Sequence, residues 1–320
     1  MRVSVFAGVL LVAAGVMALM PGMGNVMDFI AFGTDSVRIE RTADAGSVDS
    51  IRIDAGVTDV TLVPRPGHDI VVTLNGTTGS RQRDKWKLTL EQQGSELAIA
   101  PEVPKVMFAG FSSRREELKV ELPENMWALV DVRTGSGDVR AESLRAAGGI
   151  SFRTGSGDIH AEKLEGMSIR MKLASGDVKV DGIKAEDIGL ETGSGDIRAA
   201  DYDAGALAFK TGSGDVALGE GIADLSGTTG SGDIRVERNE LNADTMLRSG
   251  SGDVTILLNG APQSLAFDFK TVSGGSSVEW PYTKGGGEPN DNGGRTGTFG
   301  GGERKLEVKT GSGDIKLGER

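Results

Sequence analysis

Apolar and polar residues alternate on both sides of a short glycine-rich phrase that recurs along the chain. Before the phrase, apolar residues stand two and four positions upstream of a threonine, as Val132 and Val130 do before Thr134. After it, they stand one and three positions beyond an aspartate. Alternation with a period of two indicates half-buried β-strands. Each copy therefore predicts a strand, a tight turn and a second strand.

The phrase is Thr-Gly-Ser-Gly-Asp or a close variant, and it returns with a nearly constant period. Successive aspartates of the first seven copies are 20, 19, 19, 19, 18 and 20 residues apart. A fixed period of this size is typical of repeat proteins, in which stacked units bury an apolar face that one unit cannot bury alone. The repeated aspartates are Asp138, Asp158, Asp177, Asp196, Asp215, Asp233, Asp253 and Asp314.

Two arrangements fit this repeat. In the first, each copy is one coil of a solenoid, and equivalent residues form ladders along its axis. In the second, each copy is a hairpin folded at the glycine turn, and the hairpins form a meander. A near-constant repeat length favours in-register stacking, so we predict an all-β fold, a single-stranded β-solenoid similar to a β-helix, with coils of about 19 residues.

The remaining sequence predicts how the chain is divided. Asp54 to Val60 is similar to a degraded copy of the repeat, and Ser273-Gly-Gly275 is similar to a turn whose aspartate is replaced by glycine. The predicted segments are a signal peptide or membrane anchor (1–24), an irregular N-terminal β-section that caps the stack (35–125), the repeat solenoid (126–280), a glycine-rich loop (281–303) and a final repeat (304–320).

The N-terminal segment predicts export. Met1-Arg2 supplies a positive charge, and Val3 to Met20 is apolar or small apart from Ser4. This pattern is typical of a signal peptide, with cleavage after Ala18 as one reading. An uncleaved membrane anchor is the alternative, because the run is nearly long enough to span a bilayer; a buried core helix is a third reading. We expect an extracytoplasmic protein that is periplasmic, membrane-anchored or on the cell surface.

Composition narrows the classes of function. The chain has 49 glycines among 320 residues, 5% aromatic residues and a formal net charge of −11. These values favour short strands and glycine turns over a helical enzyme, and they argue against nucleic acid as a partner. The chain has no cysteine, which excludes disulfides, thiolate metal sites and cysteine catalysis.

The repeated aspartates are interpreted first as a structural turn ladder. Stacked carboxylates about 4.8 Å apart would repel each other by about 1 kcal/mol in water. Two basic rows flank them and are expected to neutralise this repulsion. The row that follows the aspartates consists of Arg140, His160, Lys179, Arg198, Arg235 and Lys316. The row that precedes the threonines consists of Arg133, Arg153, Lys172, Lys210, Arg248 and Lys309.

The alternative interpretation is a weak cation site, with calcium held between aspartates of successive coils. The known calcium-binding glycine-aspartate repeats have a nine-residue period, and this chain has a longer one. One carboxylate per coil is also few ligands for an ion that takes six to eight oxygens. We therefore predict no metal ligand and no cofactor, with calcium as the alternative.

No residue pattern predicts catalysis. His68 and His160 lack metal-ligand spacing, and the repeated serines have no partnered base. The glycine turns lead into strands, so they do not form a phosphate cradle at a helix N-terminus. We predict a non-enzymatic protein without catalytic residues.

The run from Leu118 to Glu124, then Val130 to Val139, and the serial copies that follow resemble the bacterial β-strand-repeat family of "putative adhesins". The related head-domain adhesin family has a similar Ser-Gly-Asp repeat. The resemblance covers residues 37 to 320 and implies an exported or membrane-anchored β-solenoid, with roles in adhesion or in envelope-stress signalling.

Together these observations predict a surface adhesin-like module that binds or scaffolds, with a cell-envelope polymer or a surface protein as its partner. The first alternative is an envelope-stress component that modulates a membrane sensor, which an uncleaved anchor would favour. The second is a glycan-active enzyme on a β-helix, which would need one coil whose outward residues differ in importance from those of the others.

Overall fold

The computed structural model describes residues 34–104, 116–285 and 293–320, and these form an all-β fold. Two short 3-10 helices, Ala45–Ser47 and Ser80–Lys85, interrupt the strands. Within the described ranges, no helix is long and apolar enough to cross a membrane. The predicted signal peptide or anchor at 1–24 lies outside the described residues.

The strands are numbered in chain order. The first thirteen are β1 (Thr34–Asp44), β2 (Ser50–Asp54), β3 (Asp59–Arg65), β4 (Asp69–Gly79), β5 (Lys87–Gln93), β6 (Glu96–Glu102), β7 (Glu117–Pro123), β8 (Met126–Thr134), β9 (Val139–Glu142), β10 (Arg145–Thr154), β11 (Ile159–Glu162), β12 (Glu165–Leu173) and β13 (Val178–Ser194). The others are β14 (Ile197–Ser213), β15 (Val216–Leu218), β16 (Gly221–Ser231), β17 (Ile234–Arg238), β18 (Thr245–Ser251), β19 (Val254–Leu258), β20 (Leu265–Ser273), β21 (Ser276–Val278), β22 (Thr283–Lys284), β23 (Arg295–Phe299), β24 (Arg304–Ser312) and β25 (Ile315–Glu319).

The repeats stack as parallel coils, and each coil contributes one strand to each of two faces. The front face contains the strands that precede the glycine turn, in the order β6, β2, β8, β10, β12, β13, β14, β16, β18, β24 and β20. The rear face contains the strands that follow it, in the order β7, β3, β9, β11, β13, β14, β15, β17, β19, β25 and β21. Long strands β13 and β14 continue from the rear face to the front face.

This parallel pairing decides between the two predicted arrangements. Strands of a hairpin would pair antiparallel with each other, whereas equivalent strands of successive repeats pair in parallel here. The result is a solenoid-like stack and not a meander.

The predicted apolar positions form continuous rows inside the stack. On the front side, Val132 pairs with Phe152 and Phe152 with Met171, and all three are buried. On the rear side, Val139 pairs with Ile159 in the same way. Because like residues meet in register, the coils share one core that extends through the stack.

The order of coils in space differs from their order in sequence near both ends. Strand β24 lies between β18 and β20, so the final repeat is inserted beneath the coil that precedes it in the chain. Strand β23 runs antiparallel along the other edge of β20, which leaves only the inner edge for β24. At the opposite end, β2 lies between β6 and β8.

The predicted division of the chain into segments stays a prediction. In the described part of 281–303, which was expected to be a loop, β22 pairs antiparallel with β23. Residues 286–292 of this range lie outside the described residues.

Glycines at the turns allow the coils to approach closely. A Cβ atom on Gly157 would lie 2.0 Å from the carbonyl oxygen of Gly137 in the neighbouring coil. We therefore expect Gly157→Ala to lower the free energy of unfolding by about 1–3 kcal/mol through overpacking. Chemical denaturation of the purified variant measures this loss.

The matched control is Gly260→Ala. No heavy atom lies within 4 Å of the position where its Cβ would stand. We expect a change within about 0.5 kcal/mol. Equal losses for the two variants would contradict the proposed role of close coil contact at the turn.

Candidate functional site

The eight repeated aspartates lie in one column along the glycine turns. The Oδ1 atom of Asp138 accepts a hydrogen bond from the backbone N–H of Asp158 at 3.0 Å. The same bond joins each later aspartate to the next in space, and the distances are 2.7 to 2.9 Å. The column continues to Asp314, which bonds to Asp253. Each carboxylate therefore joins two neighbouring coils.

Two copies that depart from the repeat sequence lie at the two ends of this column. The Asp59 carboxylate accepts the N–H of Asp138 at 2.9 Å, so the degraded copy supplies the first acceptor. At the other end, Gly275 donates its N–H to Oδ1 of Asp314 at 2.7 Å. The coil of Gly275 lies beyond that of Asp314, and within the described chain no further parallel coil stacks on it. A carboxylate at position 275 would have no further turn in the described chain whose backbone N–H it could accept.

A second set of hydrogen bonds between coils lies on the core side of the aspartate column and involves the threonine hydroxyls of the repeat. The buried hydroxyl of Thr154 donates to the carbonyl of Gly137 at 3.0 Å and accepts the N–H of Gly157 at 3.1 Å. Equivalent hydroxyls donate in the same way at Thr192, Thr211, Thr229, Ser249, Thr271 and Thr310. The third copy has Leu173 at this position, without a hydroxyl group. The threonines thus satisfy buried backbone carbonyls between coils.

The basic row after the aspartates faces outward on the rear face and pairs with carboxylates. Arg140 meets Asp138 at 3.0 Å. Arg198 meets Asp196 at 2.7 Å and Asp177 at 3.8 Å. This part of the predicted charge compensation is present.

Other carboxylates lie on the side of the rear row that faces away from the aspartate column. His160 contacts Glu162 at 2.7 Å, and this hydrogen bond is the main cause that lowers the pKa of Glu162. Arg235 forms an ion pair with Glu237. Acidic neighbours therefore compensate cations of the rear row from both sides.

The basic row before the threonines behaves differently from the prediction. We call it the front row; in spatial order it comprises Arg133, Arg153, Lys172, Glu191, Lys210, Thr228, Arg248, Lys309 and Lys270. In the described part of the chain, no ion pair joins this row to the repeated aspartates. These carboxylates lie past the turn, where Arg140 and Arg198 of the rear row reach Oδ2. The expected neutralisation by both rows is therefore limited to the rear row.

Each face has a shallow groove over its middle coils. The front groove, of about 320 Å³, is bordered by Arg153, Arg170, Lys172 and Lys210 and has Gly189 and Ala208 on its floor. The rear groove, of about 380 Å³, mixes Lys179, Arg198 and Arg235 with Asp181 and Glu237. Glu191 also borders the front groove, so cations outnumber acidic side chains four to one there and three to two in the rear groove.

A buried arginine was not among the predicted site residues. The side chain of Arg238 is 1% exposed, and its Nε donates to the Tyr202 hydroxyl at 3.1 Å. Burial raises the pKa of Tyr202. The alternation could have revealed Arg238, because position five after Asp233 has the same parity as buried Ile234. Its place inside the stack indicates a packing role next to the short coil between Asp215 and Asp233.

The two histidines and the acidic residues do not converge on a metal site in the described part of the chain. Within the described ranges, no group of three or more His, Asp and Glu side chains is arranged to hold a metal ion. His160 lies in β11, and His68 immediately precedes β4, where its carbonyl accepts the N–H of Ala45 at 3.1 Å. The two histidines thus occupy unrelated places in the fold.

The model of the Toastrack DUF4097 family matches residues 48–318. The chain belongs to this family. The resemblance to β-strand-repeat adhesins is thus supported at the level of the Toastrack family, whereas the relation to head-domain adhesins stays a prediction. No curated protein matches this Toastrack chain.

The solved structures to which this Toastrack chain is similar have low sequence identity to it. A "putative lipid binding protein" from Parabacteroides distasonis ATCC 8503 is 16% identical, with a TM-score of 0.46, 88% of this chain covered and 96% of that chain. A "putative adhesin" from Bacteroides fragilis NCTC 9343 is 15% identical, with a TM-score of 0.43 and the same coverage. A "putative adhesin" from Parabacteroides distasonis ATCC 8503 is 11% identical, with a TM-score of 0.44 and coverage of 88% and 98%.

The aspartate column generates a stability prediction. Asp196→Ala removes the acceptor of the Asp215 N–H, so we expect the free energy of unfolding to fall by about 1–2 kcal/mol. Asp196→Asn keeps an Oδ1 acceptor, and we expect it to lose less than half as much. Denaturant titration of both variants measures the difference.

Asp203→Ala is the control, because the Asp203 side chain is 63% exposed and, among the described residues, forms an ion pair only with Lys184, at 3.4 Å. We expect a change within about 0.5 kcal/mol. Should Asp196→Asn destabilise as much as Asp196→Ala, the carboxylate would act through its charge and not as a hydrogen-bond acceptor.

Proposed function

We propose that this chain is an exported, non-enzymatic, adhesin-like module that binds or scaffolds at the bacterial cell envelope. The observation that carries the proposal is the uniform use of the repeated aspartates. Each bonds to the N–H of a neighbouring turn through the same oxygen, so none of the repeated aspartates is set apart from the others as an acid, base or nucleophile.

The aspartate column is a structural ladder in this proposal. Its Oδ1 atoms are engaged by backbone N–H groups, and at Asp138 and Asp196 the Oδ2 atoms meet arginines. A calcium ion would need six to eight oxygen ligands and would compete with these bonds. The column therefore supports a stacked scaffold better than a cation site.

The outward side chains supply the binding surface. They recur once per coil along both faces, at the strand spacing of about 4.8 Å. A surface of this kind suits an extended partner, either a cell-envelope polymer or a surface protein, because the same contact can be repeated along its length. The aspartates themselves are not part of this surface.

The N-terminal β-section has the role of a cap in this proposal. Strand β4 pairs antiparallel with β7 and β1, and β1 carries Arg38, Glu40 and Arg41 on exposed positions. Charged side chains on an edge strand oppose pairing with another chain. This section would keep the end of the stack from aggregating.

Export depends on the apolar run from Val3 to Met20. We expect a fusion of alkaline phosphatase after Arg320 to be active in bacteria, because this enzyme gains its disulfides outside the cytoplasm. The same fusion without residues 1–24 should be synthesised but inactive. Enzyme activity normalised to fusion abundance is the measurement, and equal activity of the two fusions would contradict export by this segment.

A further inference from the structure

The front row concentrates positive charge in a chain whose net charge is −11. Seven of its nine positions carry lysine or arginine, and Glu191 and Thr228 interrupt it. Arg133 and Arg153 are direct register partners, as are Arg248 and Lys309. Like charges placed opposite each other on neighbouring strands are destabilising. Cations of the row that lack a carboxylate partner therefore disfavour the stacked state, and an anion bound beside them would relieve this repulsion.

Compensation within the protein is confined to part of the row. Asp131 pairs with Arg133 at 2.7 Å and with Arg153 at 3.2 Å. Lys172 pairs with Glu191 at 2.8 Å, and Lys270 with Asp268 at 2.6 Å. Three cations of the row form no ion pair in the described part of the chain: Lys210, Arg248 and Lys309.

A parallel row adds another free cation and a floor of small residues. It lies two positions before the front row and includes Arg170, Gly189, Ala208 and Ser226. Arg170 forms no ion pair in the described ranges, and its stem lies beside Gly189, where a Cβ would be 3.8 Å from Cγ. The small residues leave space for a flat chain between Arg170 and Lys210.

We propose that the front face binds a linear acidic polysaccharide, a polyuronate that lies along the axis of the stack. Coils recur about every 4.8 Å, which is close to the length of one uronate residue in an extended chain. Carboxylates of the polymer can therefore meet cations of successive or alternate coils. This assignment rests on the proposed function, since it names the polymer class that the exported module would bind.

The rear face is the internal comparison. Its cations have the same spacing, and Arg140, Arg198 and Arg235 are paired with carboxylates. Lys179 and Lys316 form no ion pair in the described ranges, but they stand far apart in the row, with the positions of Arg198, Ala217, Arg235 and Thr255 between them. A polyanion at the rear face would have to displace the paired carboxylates. The grouping of the unpaired Lys210, Arg248 and Lys309 within four successive register positions, and not the number of basic residues, assigns the polymer to the front face.

The test measures binding of the purified full chain, kept in mild detergent, to immobilised polygalacturonate. The front variant combines Arg170→Gln, Lys210→Gln and Arg248→Gln. The rear variant combines Lys179→Gln, Arg235→Gln and Lys316→Gln, which changes the net charge equally. We expect Kd to rise about tenfold or more for the front variant and less than about twofold for the rear variant. Binding should weaken as salt concentration rises.

Three outcomes would overturn the inference: no polygalacturonate binding by the unmodified chain, equal loss in the two variants, or equal affinity for an oligodeoxythymidylate of matched charge. Neutral dextran should not bind. Thermal melts of both variants that match the unmodified chain show that a loss of affinity is not a loss of fold. If the alkaline phosphatase fusion is active and the chain does not bind polygalacturonate, this inference fails while the proposed export stands.

Discussion

The hydrogen bond from the backbone N–H of one turn to the aspartate carboxylate of the preceding turn in the stack is the interaction on which the stack depends. It fixes the spacing and the register of successive turns at once, because one oxygen of each carboxylate meets one N–H group. Glycines make the approach possible: a Cβ on Gly214 would lie 1.9 Å from the carbonyl oxygen of Gly195. Once the turns are aligned, the strands on both faces are in register, and their apolar side chains form one core.

This constraint separates the chemistry of the two faces. The aspartates are held at the turn and meet Arg140 and Arg198 of the rear face, so part of the rear charge is compensated by the turn itself. The front row receives no such compensation from the turn. Lys210, Arg248 and Lys309 are consequently available for an anionic partner. The binding surface thus follows from the geometry that stabilises the stack.

The repeat predicted the strands, the turns and the shared core, because period-two alternation and a fixed period report directly on burial and stacking. It could not predict the insertion of the final repeat, since any coil with the same apolar pattern fits either edge of β18 or β20. The repeat pattern also predicted that both basic rows neutralise the aspartates. The two rows differ because the aspartate carboxylates face the rear side of the turn, where Arg198 of the rear row pairs with Asp196. Tyr202 and Arg238 lie in the coils on either side of the one 18-residue spacing, and Gly221 within that spacing leaves room for the tyrosine ring.

The most direct test of register at the turns is disulfide formation, because the chain has no cysteine of its own. Ser312 is the register partner of both Ser251 and Ser273, and neighbouring strands lie at a spacing that a disulfide can bridge. Ser312→Cys should form a disulfide under mild oxidation when combined with Ser251→Cys, and likewise with Ser273→Cys. Combining Ser251→Cys with Ser273→Cys should give none. A disulfide in this last pair, with none in the first two, would contradict the stacking described here.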